Sequence, residues 1–179
     1  MNRAGSVYGQ GLYALAKDEG LEDSILQELE VLKTAFMEQP AYLKLLASAN
    51  IPKEERLGIL DQDFGGRVQQ YLLNFLKLLT EKGYIRQFDD CCRAYRSVYN
   101  EDRGILEVKA VSAIALHDEQ KQRLTDKLAA MTGKQICLIC REDPSVLGGI
   151  RLSYDGTQVD GTLQGRLEAM EKQLKNTVI

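Results

Sequence analysis

The spacing of apolar residues changes once along this chain, at residue 105, and that change bounds the fold. Before it, apolar side chains recur at steps of three and four, as on the buried face of a helix. After it, Ile105-Leu106-Glu107-Val108-Lys109-Ala110-Val111 alternates with period two, which places successive side chains on opposite faces of a strand. The pattern predicts an α+β protein. A six-helix bundle over 1–104 is followed by a small α/β domain over 105–179.

The helical half is punctuated by its own residues. Over 4–17, Val7, Tyr8, Leu12 and Leu15 lie near one face, with Gly5, Gly9 and Gly11 alongside. Each glycine costs a helix roughly 1 kcal/mol relative to alanine, so their presence suggests close approach by another helix. Leu21, Ile25, Leu29, Leu32 and Phe36 mark a second helix over 21–38. Pro40 and Pro52 each open a new one, because a first-turn N–H has no helical partner to lose. Residues 67–81 are the most apolar segment, with Val68, Tyr71, Leu72, Phe75 and Leu79 on one stripe and further leucines elsewhere, which predicts a helix buried in the middle. Gly83 ends it, and a sixth helix is read from Tyr84 to Asn100.

Beyond residue 105 the expectation is a strand over 105–115, then a helix capped by Asp118 and closed by Gly133. A second strand follows at 135–141 and a third at 146–154. Asp155-Gly156 suits a two-residue hairpin turn. A last helix over 162–175 carries Leu163, Leu167, Met170 and Leu174 on one seam, entered through Asp160-Gly161.

The search for chemistry excludes more than it finds. The net charge is −3 and no basic run stands out, so nothing pulls the chain toward nucleic acid. No apolar run approaches the ~20 residues that span a bilayer, and no signal-peptide core follows Met1. The expectation is a cytoplasmic, unprocessed protein that meets a membrane only through partners. Cys137 and Cys140 have C-x-x-C spacing, but in a strand residues three apart point to opposite faces. Cys91-Cys92 sits in a helical pattern and reads as two small buried apolar groups. His117, the sole histidine, falls at a strand-to-helix turn and reads as a cap or an exposed residue. Thr132-Gly133-Lys134 lacks the upstream glycine and following hydroxyl of a phosphate loop. Gly148-Gly149 precedes no helix and reads as a bulge or a close-packing point within a strand. No catalytic, cofactor or metal residue is assigned.

Two ordered signatures resemble one family. At the C-terminal end, Leu147-Gly148-Gly149-Ile150 and Asp160-Gly161-Thr162-Leu163-x-Gly165-Arg166-Leu167 are similar to the signature of the delta subunit of F-type ATP synthases, the bacterial counterpart of the oligomycin-sensitivity-conferring protein. At the N-terminal end, Tyr8-Gly9-Gln10-Gly11-Leu12-Tyr13-Ala14-Leu15-Ala16 resembles the family's opening helix. There Val7 replaces the usual arginine, and Gly9 and Gly11 replace alanines.

The resemblance implies a mechanical role rather than a chemical one: a non-enzymatic stator subunit, with no cofactor, peripheral on the cytoplasmic face of a bacterial membrane. The helical domain would take the N-terminal helices of the head's alpha subunits. The C-terminal domain would hold the b subunits of the peripheral stalk. Gly5, Tyr8, Gly9, Leu12, Leu72 and Phe75 are the expected helix groove between the first and fifth helices. Gly148, Gly149, Asp160, Leu163 and Leu167 are expected to shape or support the stalk grip, with Asp160 capping the last helix. An interaction scaffold outside ATP synthase and a small enzyme using Asp155, Asp160 or the C-x-x-C pair stand as the alternatives.

Overall fold

In the computed structural model of the protein, residues 3–146, 148–154 and 156–161 are described. The chain divides into two compact units, Met1–Tyr99 and Asn100–Ile179.

The first unit is helical. Its elements are α1 (Arg3–Asp18), α2 (Glu22–Glu38), α3 (Pro40–Leu46), α4 (Lys53–Phe64), α5 (Gln70–Glu81), a 3-10 turn (Ile85–Gln87) and the body of α6 (Phe88–Asp102). Local chemistry sets several boundaries. Gly20 and Gly83 take positive φ after α1 and α5, where a side chain would be strained. Pro40 opens α3. Glu22 and Asp23 in the first turn of α2, and Glu54 and Glu55 in that of α4, complement the positive end of each helix dipole.

The core forms where the apolar stripes meet. Helix α2 contributes Ile25, Leu29, Leu32 and Phe36, and α5 contributes Leu72, Leu73, Phe75, Leu76 and Leu79. Helix α6 adds Phe88, Cys91, Cys92 and Tyr95. Each fully buried leucine or phenylalanine contributes roughly 1.5–3 kcal/mol. Aromatic edges lock the interior: Phe36 meets Phe88 at 5.0 Å between ring centroids and Tyr13 meets Tyr95 at 5.3 Å. Two tyrosine hydroxyls tie α6 to the start of α2. Tyr95 donates to the Glu22 carbonyl at 2.9 Å and Tyr99 to the Asp23 carboxylate at 2.7 Å. The single helix expected over 84–100 is broken at its start. The 3-10 turn over Ile85–Gln87 precedes α6, and it lets Ile85 and Phe88 both reach the core.

The second unit is a four-stranded sheet with a helix on one face. Strand β1 (Ile105–Ser112) is followed by α7 (Asp118–Thr132), β2 (Gln135–Glu142), β3 (Ile150–Tyr154) and β4 (Thr157–Asp160). The sheet order is β2-β1-β3-β4. β1 and β2 are parallel with Ile105 opposite Gln135, joined by the α7 crossover. β3 runs antiparallel to β1, with Ala110 opposite Leu152, and β4 antiparallel to β3, with Leu152 opposite Val159. Leu106, Val108 and Leu128 are buried together, with Leu124, Ile136, Leu138, Leu152 and Tyr154 packed around them.

Several boundaries differ from the sequence expectation. β1 stops at Ser112 rather than running to 115, because the buried Ser112 hydroxyl turns to donate to the Ile114 carbonyl at 2.8 Å. His117, not Asp118, is the N-cap of α7, and its backbone N–H donates to the Gln120 side chain at 3.0 Å. The third strand starts at Ile150, not 146. Gly148 and Gly149 have φ of 65° and 83°, left-handed values that a strand does not contain. They are a turn into β3 rather than a bulge within it. The helix expected over 162–175, with Leu163 and Leu167, lies outside the described residues.

An apolar groove between the first and fifth helices

Helices α1 and α5 leave a groove of about 420 Å³ between them on the surface of the first unit. It is lined by Val7, Tyr8, Gly11, Leu12 and Leu15 from α1, and by Tyr71, Asn74, Phe75 and Leu78 from α5. The helical period explains the lining. Residues 7, 11 and 15 recur every four positions, as do 8 and 12, and residues 71, 74, 75 and 78 recur at three or four on α5. Leu12 and Phe75 are 4% and 6% exposed and form the floor. Val7, Leu15 and Leu78 are 61%, 40% and 38% exposed and form the rim. Tyr8 packs on Tyr84 at 5.6 Å. At the α1 C-terminal end the Tyr71 hydroxyl hydrogen-bonds Glu19, and that bond holds the phenol pKa above its ordinary 10.0.

The structure gathers Tyr8, Leu12 and Phe75 in this groove as the sequence places them. Gly5, Gly9 and Leu72 are elsewhere. Leu72 is fully buried in the core and is not part of the lining. Gly5 and Gly9 are buried on the side of α1 that meets α6. A Cβ at Gly5 would lie 2.6 Å from the Asp90 Cβ, and one at Gly9 would lie 2.8 Å from the Ala94 Cβ and against the Cys91 carbonyl. The close approach inferred from these two glycines is real, but the approaching helix is α6 of the same chain. Val7, Gly11, Leu15, Tyr71, Asn74 and Leu78 are groove residues that the sequence expectation left out. Burial in the structure separates the two faces: Gly5, Gly9, Leu12, Tyr13 and Ala16 fill the buried row of α1, and Val7 and Leu15 lie off that row as exposed apolar residues.

In the second unit, Gly148 and Gly149 form the turn into β3, and Asp160 ends β4. Asp160 stands opposite Arg151 in the ladder, and the Arg151 Nε donates to its carboxylate at 3.4 Å. Cys137 and Cys140 lie on β2 opposite Glu107 and Ala110, on opposite faces of the sheet. Among the described residues no three His, Cys, Asp or Glu side chains converge to hold a metal ion, and no helix is long and apolar enough to cross a membrane.

The comparisons agree along nearly the whole length. Residues 5–174 match the family model described as ATP synthase delta (OSCP) subunit. The chain is 32% identical over 170 residues to an ATP synthase subunit delta of Lactobacillus gasseri, covering 94% of this chain and 93% of that one. It is 30% identical over 169 residues to the subunit of the same name from Desulfitobacterium hafniense strain Y51, covering 94% of each. A chain in the cryo-EM structure of the Toxoplasma gondii mitochondrial ATP synthase hexamer shares the fold, with a TM-score of 0.78 at 17% identity over 97% of this chain and 98% of that one. The match over residues 5–174, with 32% identity along 94% of the chain to one subunit delta, makes this chain a member of the ATP synthase delta (OSCP) subunit family, a non-catalytic component of the stator.

Proposed function

We propose that the two units of this chain are two grips, one on the catalytic head and one on the peripheral stalk. The groove between α1 and α5 takes an amphipathic helix from the N-terminus of an alpha subunit. The second unit holds the b subunits. Joined in one chain, they resist the torque that the rotor exerts on the head during ion-driven ATP synthesis. The chain sits at the cytoplasmic face of a bacterial membrane and reaches it only through these partners.

The observation that carries this reading is the exposed apolar rim of the groove. Val7, Leu15 and Leu78 stand in solvent beside a floor of Leu12 and Phe75, and an amphipathic helix lays its apolar face into such a trough. In this reading the six helices of the first unit are a bundle that holds α1 and α5 at a fixed spacing. Gly148, Gly149 and Asp160 act in the second unit by shaping the β3–β4 hairpin beneath the stalk-binding surface.

The test uses the full chain. The double variant Val7→Asp/Leu15→Asp changes two exposed side chains and leaves the core intact. It is expected to lose calorimetric binding of an alpha-subunit N-terminal peptide while still capturing a soluble b-subunit fragment. Full retention of the peptide, or loss of both partners by a folded variant, would overturn the division between the two grips.

A further inference from the structure

We infer that the open edge of β2 pairs with the β2 edge of a second copy of this chain, antiparallel and centred on Leu138. The inference concerns the second unit alone and does not depend on either grip proposed above.

Strand β2 ends the sheet, and among the described residues no strand pairs with its outer side. The Gln135 N–H donates to the Gly104 carbonyl at 3.0 Å and the Asp143 N–H to the Ser112 carbonyl at 2.9 Å, both toward β1. Odd-numbered residues of β2 therefore turn their backbone groups to β1. The direction alternates along a strand, so Ile136, Leu138, Cys140 and Glu142 turn theirs to the open edge.

Proteins ordinarily protect such an edge with a short strand, a proline, a bulge or a charge. β4, at the other end of the sheet, spans 4 residues and is exposed throughout. β2 spans 8 residues, contains no proline or glycine, and keeps an unbroken register with β1 from Gln135 to Glu142. Its stretch from Ile136 to Cys140 carries no charge. Leu106, Val108 and Ala110 on β1 are 4%, 0% and 0% exposed, whereas Ile136, Leu138 and Cys140 opposite them on β2 are only half-buried. One further strand would cover this apolar surface.

Charge complementarity selects a second copy as that strand. In an antiparallel pair centred on Leu138, Lys134 of each copy stands opposite Glu142 of the other, so an ion pair closes both ends. Between them Ile136 faces Cys140 and Leu138 faces Leu138, each pair exchanging its outward backbone hydrogen bonds. On the other face Gln135 meets Arg141 and Cys137 meets Ile139. Moving the centre by one residue loses both ion pairs: Glu142 then faces Ile136, or Lys134 faces Cys140. The same patch serves both copies, as a two-fold interface requires.

The experiment uses the full chain in sedimentation equilibrium over a series of concentrations. The wild-type protein is expected to dimerise. Lys134→Glu sets like charges opposite Glu142 at both ends and should weaken the dimer about tenfold, and Lys134→Glu/Glu142→Lys should restore it. Ile139→Cys sets a thiol opposite Cys137 of the second copy. Mild oxidation of that variant should give a disulfide-linked dimer, which Cys137→Ser in the same chain abolishes. A wild-type protein that stays monomeric at every concentration would overturn the inference. So would a dimer that neither responds to the charge variants nor forms the cross-link, because the association would then lie elsewhere. Amide protection at Ile136, Leu138 and Cys140 that appears only when a soluble b-subunit fragment is added would give the edge to the stalk and overturn self-pairing.

Discussion

Gly9 lies against the carbonyl oxygen of Cys91 so closely that no Cβ fits between them. Helix α1 therefore packs on α6 by backbone contact. Gly9→Ala should lower stability by about 1–3 kcal/mol although alanine is the better helix former, because the methyl group forces the two helices apart. Urea unfolding of the variant measures this. A gain in stability would show that the α1–α6 contact yields at little cost.

The four thiols should divide into two classes. Cys91 and Cys92 are buried in α6, and burial pushes the Cys91 thiol up to about 12 and the Cys92 thiol higher than its ordinary value as well. Cys137 is exposed and Cys140 half-buried on β2. Maleimide labelling of the native protein at neutral pH should modify only Cys137 and Cys140, and denaturant should release all four, because the thiolate is the reacting form. Peptide mass spectrometry would locate the labels, and native labelling of Cys92 would contradict the packing of α6.

Asp89 gives a pH dependence of known sign. Lys33 Nζ donates to its carboxylate at 2.8 Å, and that hydrogen bond, with help from Arg93, holds the carboxyl below its ordinary 3.8. A depressed folded-state pKa contributes stability that is present above the unfolded value and lost as pH falls through the folded one. The side chain is half exposed, so the contribution at neutral pH is small, about 0–1 kcal/mol. Asp89→Asn should be slightly less stable than the parent at pH 7, and the difference should begin to shrink as pH approaches 3.8 and vanish only once pH lies below the depressed folded-state value, where the parent's carboxyl is protonated in both states. A stability difference that persists unchanged in acid would mean that the ion pair is not its source.

Gly149 precedes β3 with φ of 83°, where an L side chain crowds its own backbone. Gly149→Ala should cost about 1–2 kcal/mol and loosen the start of β3. Amide exchange at Arg151 and Leu152, which pair with Val111 and Ala110, would report the loosening. Unchanged protection there would show that the turn is not needed to hold β3 in register.

Periodicity made much of this protein legible in its sequence. Ile25, Leu29, Leu32 and Phe36 could form a continuous apolar stripe only on a helix, and the alternation from Ile105 could bury one face only as a strand. Local backbone chemistry was nearly as readable, since Pro40, Gly83 and Gly133 mark helix boundaries by conformation alone. The strand limits were less so. Ser112 ends β1 through a side-chain hydrogen bond that period-two spacing cannot foresee.

The groove shows where sequence stops. Sequence alone identified α1 and α5 as apolar helices and picked out Tyr8, Leu12 and Phe75, because a helical stripe is a property of one segment. It did not decide which face of α1 meets α6 and which stays open, because that depends on a third helix some eighty residues away. Gly9 and Gly11 are the same residue type two positions apart, so they point to different sides of α1. Only the packed structure makes one a backbone contact within the protein and leaves the other facing open space, since helix contact is fixed by neighbours in three dimensions and not by neighbours in the chain.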